Sequence, residues 1–220
     1  MADSKLTIGY WGIQGLAHPT RLMLAYHKVP FEDILYNDPN EWYGKDKPAL
    51  QTWAPSIPYL KDGDFLLTES LAVIQYAAGK TGNKDLLGKN DLDTIRIVQL
   101  WSILRDLAAA FIPIVWKPDF EAIKDETMKT KVVPFLDKLT KALGEQDYPL
   151  GYLTWVDFIY VYLIDGLNRM SPETMKAYPN LLKYHERIYS NEGIQAYRKS
   201  EKYPKLFMPP FATWPGEEKV

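Results

Sequence analysis

Cysteine is absent from all 220 residues. That excludes disulfide staples and every zinc, iron–sulfur or catalytic site built on a protein thiol. Any thiol chemistry here must use a thiol that arrives with a substrate. An excess of either charge is also missing. The chain has 26 basic and 28 acidic residues, a formal net charge of −2, and no basic stripe, so nucleic acid and anionic membrane surfaces are not expected partners. Long hydrophobic runs are scarce. The longest, Leu107 to Trp116, is too short to span a bilayer and contains Pro113. Met1 to Tyr10 has no basic segment leading into an apolar stretch. The expectation is a soluble, intracellular protein of the cytoplasm.

Histidine is sparse as well. His18, His27 and His185 lie far apart and have no acidic or histidine partner at ligand spacing, so no metal and no histidine catalyst is expected. No serine or threonine sits in a nucleophile elbow. Gly63 belongs to a turn rather than a phosphate loop, and the charges from Glu121 to Lys131 read as a solvated helix face.

What the chain does have is 46% hydrophobic and 25% charged residues, enough for a sizeable core in one large domain or two small ones. The first eighty residues differ in pattern from the rest. Leu6 to Tyr10 and Phe31 to Tyr36 are β-prone, with a helical pattern between them that Pro19 can open. Ile57 to Leu60 and Phe65 to Thr68 flank Lys61-Asp62-Gly63-Asp64, a hairpin signal. Helical spacing resumes at Leu71, Ile74 and Ala78. The order strand–helix–strand–loop–strand–hairpin–strand–helix describes an α/β unit over residues 1–80.

Residues 81–90, rich in Gly, Lys, Asn and Asp, read as a linker, and 91–220 as all-helical. Asp91 to Ala110 and Phe120 to Leu143 carry helical periodicity. Thr154-Trp155-Val156-Asp157 has the form of a capping box opening a buried central helix through Leu167. Tyr178-Pro179 starts a further helix, and Pro204 to Pro215 is irregular.

Two places carry chemistry. Tyr10 ends the first strand just before a helix start, where an anion is stabilised. Ile57-Pro58 opens a strand, with Pro58 a candidate for a cis peptide that leaves neighbouring backbone free for strand-like pairing. Glu69-Ser70 follows at a helix start, where serine can hold a carboxylate and glutamate an ammonium group. Read singly, a surface tyrosine, a proline turn and an ordinary cap are the simpler explanation of these residues.

Taken together, Gly9-Tyr10-Trp11, Gly15-Leu16-Ala17-His18-Pro19 and Pro58-Tyr59-Leu60-Lys61-Asp62-Gly63 resemble the cytosolic glutathione transferases, most closely the mu class. Pro118-Asp119-Phe120-Glu121, Val156-Asp157-Phe158 and Ala177-Tyr178-Pro179-Asn180-Leu181 extend the likeness over nearly the whole chain. The resemblance implies a thioredoxin-like α/β domain followed by an all-α domain, working as a homodimer that joins glutathione to hydrophobic electrophiles. It implies glutathione as co-substrate and no other cofactor. By the same resemblance Tyr10 stabilises the glutathione thiolate. Trp11 and Leu16 line the peptide, and Trp42 with Lys45 or Lys47 holds the glycyl carboxylate. Ile57, ahead of Pro58, pairs with the cysteinyl backbone. Glu69 and Ser70 hold the γ-glutamyl end, which Asp106 reaches from the partner subunit. Ile13, Phe111, Ile112, Trp116 and Met208 form the electrophile pocket.

The chain departs from the mu pattern in places. The loop from Tyr36 to Trp42 is short, which should open the electrophile pocket and leaves Lys45 and Lys47 both in register. Ser56 and Glu69 stand in place of asparagine and glutamine. Trp116 replaces a tyrosine and has no hydroxyl to assist epoxide opening. Ala54 falls where some dimers carry an aromatic key, a role adjacent Trp53 can take. Glutathione-dependent isomerisation of the prostaglandin D synthase type, or a non-catalytic binding role, is compatible with the same residues.

Overall fold

The computed structural model describes residues 5–218. Strand β1 (Leu6–Trp11) leads through a 3₁₀ turn at Gly15–Ala17 into α1 (His18–Tyr26), then β2 (Phe31–Tyr36). A π-helical turn at Glu41–Asp46 and the short α2 (Lys47–Ala49) precede β3 (Tyr59–Asp62), β4 (Phe65–Thr68) and α3 (Ser70–Gly79). The strands form one sheet in the order β2-β1-β3-β4. β1 and β2 are parallel, while β3 is antiparallel to both β1 and β4. This is the mixed four-stranded sheet of a thioredoxin-like unit. Strand β3 begins two residues later than the sequence suggests. Pro58 has no N–H for the ladder, and Lys61 and Asp62 extend the pairing until the turn shrinks to Gly63-Asp64, with Gly63 at φ 59°.

A helical unit follows: α4 (Asp91–Phe111), α5 (Phe120–Thr127), α6 (Val133–Leu143), α7 (Trp155–Met170), α8 (Pro172–Met175), α9 (Pro179–Tyr189) and α10 (Glu192–Arg198). The connection before α4 is anchored, because a 3₁₀ turn at Lys84–Leu87 buries Leu86 and the Asn90 side chain caps α4 by accepting from Asp93 N–H at 3.0 Å. The continuous helix expected over Phe120–Leu143 is interrupted by a π turn at Met128–Val132. Pro134 accounts for the break, since its ring collides with the carbonyl four residues back and it donates no hydrogen bond. The turn after α9 hides another helix, α10, whose Asn191 cap accepts from the N–H groups of Gly193 and Ile194.

Helix α7 is the centre of the molecule. It is buried along most of its length and packs on α1, α4, α8 and α9. Its N-terminus is a full capping box: Thr154 N–H and Oγ donate to Asp157 Oδ2 at 2.6 and 2.8 Å. Asp157 also accepts the hydroxyl of buried Tyr184. Helix α4 divides its apolar residues differently. Ile97, Leu100, Leu104 and Leu107 face the core, whereas Leu92, Ile95 and Val98 point outward. The stretch Asp91–Trp116 has the length and hydropathy of a membrane span, and a third of its most apolar eighteen residues is buried.

The capping box supports a stability prediction. Asp157→Ala leaves a buried hydroxyl and a helix-end N–H unpaired and should cost about 2–4 kcal/mol in a denaturant titration. Burial lifts the Asp157 carboxyl from an ordinary 3.8 to about 6, so between those values its ionisation weighs against the folded state. The native chain gains stability from this group as pH falls through that window, and the deficit of Asp157→Ala should widen with it.

Candidate functional site

One end of the sheet collects the chemistry. Tyr10 and Trp11 close β1 at the same end where β2 finishes at Tyr36. Continuing the β1–β3 register beyond Gly9↔Tyr59 sets Ile57 opposite Trp11. The Ile57–Pro58 peptide is cis. β4 ends at Thr68 opposite Tyr59, so Glu69 and Ser70 follow at the same end of the sheet as Pro58. The end of β1, the approach to β3 and the start of α3 thus lie at one end of the sheet.

Tyr10 is buried, and its ring fits against the Gly15 turn. Gly15 has φ +46°, and a Cβ there would lie 2.6 Å from Tyr10 Cε1 and 2.8 Å from its hydroxyl, so only glycine suits both the backbone and the space. Burial pushes the Tyr10 hydroxyl above its ordinary pKa of 10, while the Leu16 backbone N–H and the Arg21 guanidinium pull it back. The Arg21 guanidinium lies 5.9 Å from the centre of the Tyr10 ring. Arg21 is itself fully buried, paired with Asp33 at 3.0 Å and donating to the Ile13 carbonyl at 2.8 Å. At neutral pH Tyr10 keeps its proton and can donate it in a hydrogen bond.

Glu69 has φ 71°, an unusual setting for a side chain with a Cβ, costing about 1–3 kcal/mol. Its carbonyl starts α3 by accepting from Val73 N–H at 2.9 Å, and its carboxylate accepts from Ser56 Oγ at 2.8 Å. The side chain makes no cap on α3 and is held by Ser56 instead. Ser70 is half-buried at the helix start.

Beyond Trp11 stands an aromatic wall. Tyr43 packs 5.9 Å from Trp11, and Lys47 Nζ lies 5.5 Å from the Tyr43 ring centre. Trp42 is buried between Tyr36 and Tyr59, with ring centres at 5.5 and 6.1 Å. It supports the wall, and Tyr43, which sequence reasoning passed over, is its exposed member. The Tyr36 hydroxyl donates to Asp46 at 2.6 Å, fixing the turn that carries Tyr43. Lys45 is exposed.

The expected electrophile residues divide. Trp116 is 42% exposed, with Phe211 at 5.9 Å from its ring and itself 82% exposed, while Leu16, expected to line the peptide, is 59% exposed. Ile112 and Met208 are half-buried, and Ile13 is buried. Phe111 is a correction. It lies on the inward face of α4, 0% exposed, with its ring 6.4 Å from buried Phe207, so it packs the floor and presents no surface to a ligand. Asp106 is exposed on α4 beside Arg105, at 3.4 Å. The carboxyl-terminal segment closes this side: Trp214 N–H donates to the Val115 carbonyl at 3.1 Å, and Phe207 stacks on Tyr162 at 4.6 Å. Gly166 makes room for Phe207, since a Cβ there would strike the ring.

Comparison with known proteins agrees with this architecture. Residues 6–79 match the family model for the glutathione S-transferase N-terminal domain, and residues 105–201 the model for the C-terminal domain. Glutathione S-transferase B of Cavia porcellus is 34% identical, covering 95% of this chain and 98% of that protein. Glutathione S-transferase Mu 2 of Homo sapiens is 32% identical, with the same coverage. The solved pi-class glutathione S-transferase of Onchocerca volvulus superposes with a TM-score of 0.81 at 23% identity, over 94% of this chain and 99% of that one, a likeness of fold. With its sheet, its central helix and both domain models accounted for, the chain belongs to the glutathione S-transferase family, with mu-class members among its relatives.

Proposed function

We propose that this chain conjugates the thiol of glutathione to hydrophobic electrophiles, with Tyr10 stabilising the thiolate. The observation that carries the reading is a buried Tyr10 at the end of the sheet where β3 begins just after the cis Ile57–Pro58 peptide and β4 runs through Glu69 into Ser70. An unperturbed thiol, with pKa near about 8.5, is only a few per cent ionised at neutral pH. Lowering it by roughly two units takes about 2.7 kcal/mol of selective thiolate stabilisation. A hydrogen bond to a charged acceptor is worth about 1.5–3 kcal/mol, so a single Tyr10 hydroxyl meets most of the requirement. The thiolate sulfur then bonds to the electrophilic carbon as the leaving group departs with its electron pair. The scheme calls on no metal or redox cofactor.

In this reading the cysteinyl backbone pairs with Ile57 ahead of Pro58, and Trp11 and Leu16 flank the peptide. The γ-glutamyl ammonium meets Glu69 and its carboxylate meets Ser70 at the start of α3, where helix N–H groups favour an anion. The glycyl carboxylate meets Lys47, because Lys47 stands on Tyr43 and Tyr43 on Trp11; Trp42 holds that wall from behind. Ile13, Ile112, Trp116 and Met208 bound the electrophile side. The division into 1–80, a linker at 81–90 and 91–220 assigns glutathione to the first unit and the electrophile to the second. A reduced thiol co-substrate suits the cytoplasm.

We assign a homodimer through the outer face of α4, where Leu92, Ile95 and Val98 are exposed. Trp53, 98% exposed, would act as the aromatic key, and Asp106 would reach the neighbouring glutathione. Apolar surface of this kind marks an interface.

Three outcomes test the reading. Tyr10→Phe should lower turnover with 1-chloro-2,4-dinitrobenzene about 10²-fold, the scale of one positioned proton donor, while glutathione still binds; unchanged turnover would remove Tyr10 from its role. Lys47→Ala should raise the KM for glutathione about tenfold, as loss of one charge-assisted hydrogen bond predicts, and Lys45→Ala should leave it within about twofold. The reverse ranking would move the carboxylate to Lys45. Trp53→Ala should shift the sedimenting species from dimer towards monomer, and a monomeric native chain would refute the assembly.

A further inference from the structure

The carboxyl-terminal segment ends in a buried cluster that reaches the turn beside Tyr10. Glu218 lies near the end of the chain, yet its carboxylate is buried. Its Oε2 accepts from Gln14 Nε2 at 3.0 Å, from the Tyr203 hydroxyl at 2.5 Å and from Arg169 Nη2 at 3.1 Å. Its Oε1 accepts from Arg198 Nε at 2.9 Å and also pairs with Arg198 Nη2. Gln14 is fully buried and satisfied at both ends of its amide, because Arg169 Nη2 donates to its Oε1 at 3.2 Å.

The backbone repeats the connection. Gln14 N–H donates to the Leu206 carbonyl at 2.8 Å, and Gly15 N–H to Phe207 at 3.4 Å. The tail holds its own shape through the Glu218 N–H bond to Lys205 at 2.8 Å and the Arg169 bond to the Gly216 carbonyl at 2.9 Å. Gln14, Gly15 and Leu16 form the turn against which Tyr10 is seated. That turn carries no side chain at Gly15 and only an exposed one at Leu16, so its position depends on what grips Gln14.

We propose that Glu218 is a positioning residue for thiolate activation: through Gln14 it holds the Gly15–Leu16 turn against the Tyr10 hydroxyl. A backbone N–H donated to the Tyr10 oxygen polarises its O–H and makes it a stronger donor to sulfur. Releasing the turn weakens that donor, while Ile57, Glu69, Ser70 and Lys47, which the reading gives to the rest of glutathione, lie on other segments. The inference rests on the reading of Tyr10 given above.

The test titrates the ultraviolet thiolate band of enzyme-bound glutathione and measures kcat and KM across pH. Two variants are used. Glu218→Gln removes the buried charge, and Gln14→Met keeps the side chain's volume, leaves Glu218 with its arginines and cuts the side-chain bonds by which Glu218, Tyr203 and Arg169 grip the turn. Both should raise the thiol midpoint by about half to one pH unit, the scale of one neutral hydrogen bond. Turnover at neutral pH should fall several-fold, with the KM for glutathione within about twofold. Leu136→Val in α6, which loosens the core away from the site, should leave the midpoint unmoved. A midpoint unchanged in Gln14→Met, in a protein whose circular dichroism is native, overturns the proposal and makes the cluster purely structural. If Tyr10→Phe also leaves the native midpoint unmoved, the reading of Tyr10 falls with it; if only Tyr10→Phe moves it, the reading stands and Glu218 loses its role.

Discussion

A helix buried on nearly every side must find partners for each charge it carries inward, because an unpaired buried charge costs several kcal/mol. Helix α7 carries Asp157, Asp165 and Arg169. Its N-terminal end is satisfied close by, through Thr154 and Tyr184. Its C-terminal end is satisfied from far away: Arg169 pairs with Asp165 one turn back, with Glu218 in the tail and with Gln14 in the first loop. One helix therefore ties the two ends of the chain together. The sheet unit gains its stable edge from a charge on the helical unit, and neither shifts without leaving a guanidinium or a carboxylate unpaired.

The seat of Tyr10 is shaped by opposing electrostatics. Burial alone would raise its hydroxyl further and leave an ordinary phenol. The Leu16 N–H and the Arg21 charge restrain that rise, which polarises the O–H without ionising it. Both halves of this balance matter to the proposed chemistry. An ionised tyrosine would repel a thiolate, and an unpolarised one would stabilise it less. Arg21 does not itself form a tight anion site, since Asp33 and the Ile13 carbonyl engage it.

Local rules recovered much of this. The hairpin was legible in Asp62-Gly63, the central helix in Thr154-x-x-Asp157 and the start of α9 in Tyr178-Pro179, because each is decided within four residues. The site edge was legible only through resemblance, as Tyr10, Ile57 and Ser70 are joined by sheet register that no local pattern reveals. Phe111 was placed by resemblance alone, and in this chain its side chain lies on the inward face of α4. Gln14 gave no signal at all, since its partner Glu218 lies 204 residues away. The break before α6 was visible in Pro134 and was passed over in favour of the longer periodicity.

The two halves of the proposed cleft follow different physics, and the structure is built accordingly. Holding a tripeptide by its backbone and charged ends needs donors and acceptors fixed to fractions of an ångström. On that side the residues are strapped: Glu69 by Ser56, Tyr43 through the Tyr36–Asp46 bond, and the Tyr10 turn by Gln14. Binding a varied apolar electrophile relies on burial, which has no direction. On that side Trp116 and Phe211 stand as an exposed aromatic pair, held chiefly by their own backbone segments. An exposed aromatic pair gains affinity from any flat apolar surface that covers the two rings. On the proposed reading, the strapped polar side would hold one tripeptide and the exposed aromatic side would accept varied apolar electrophiles.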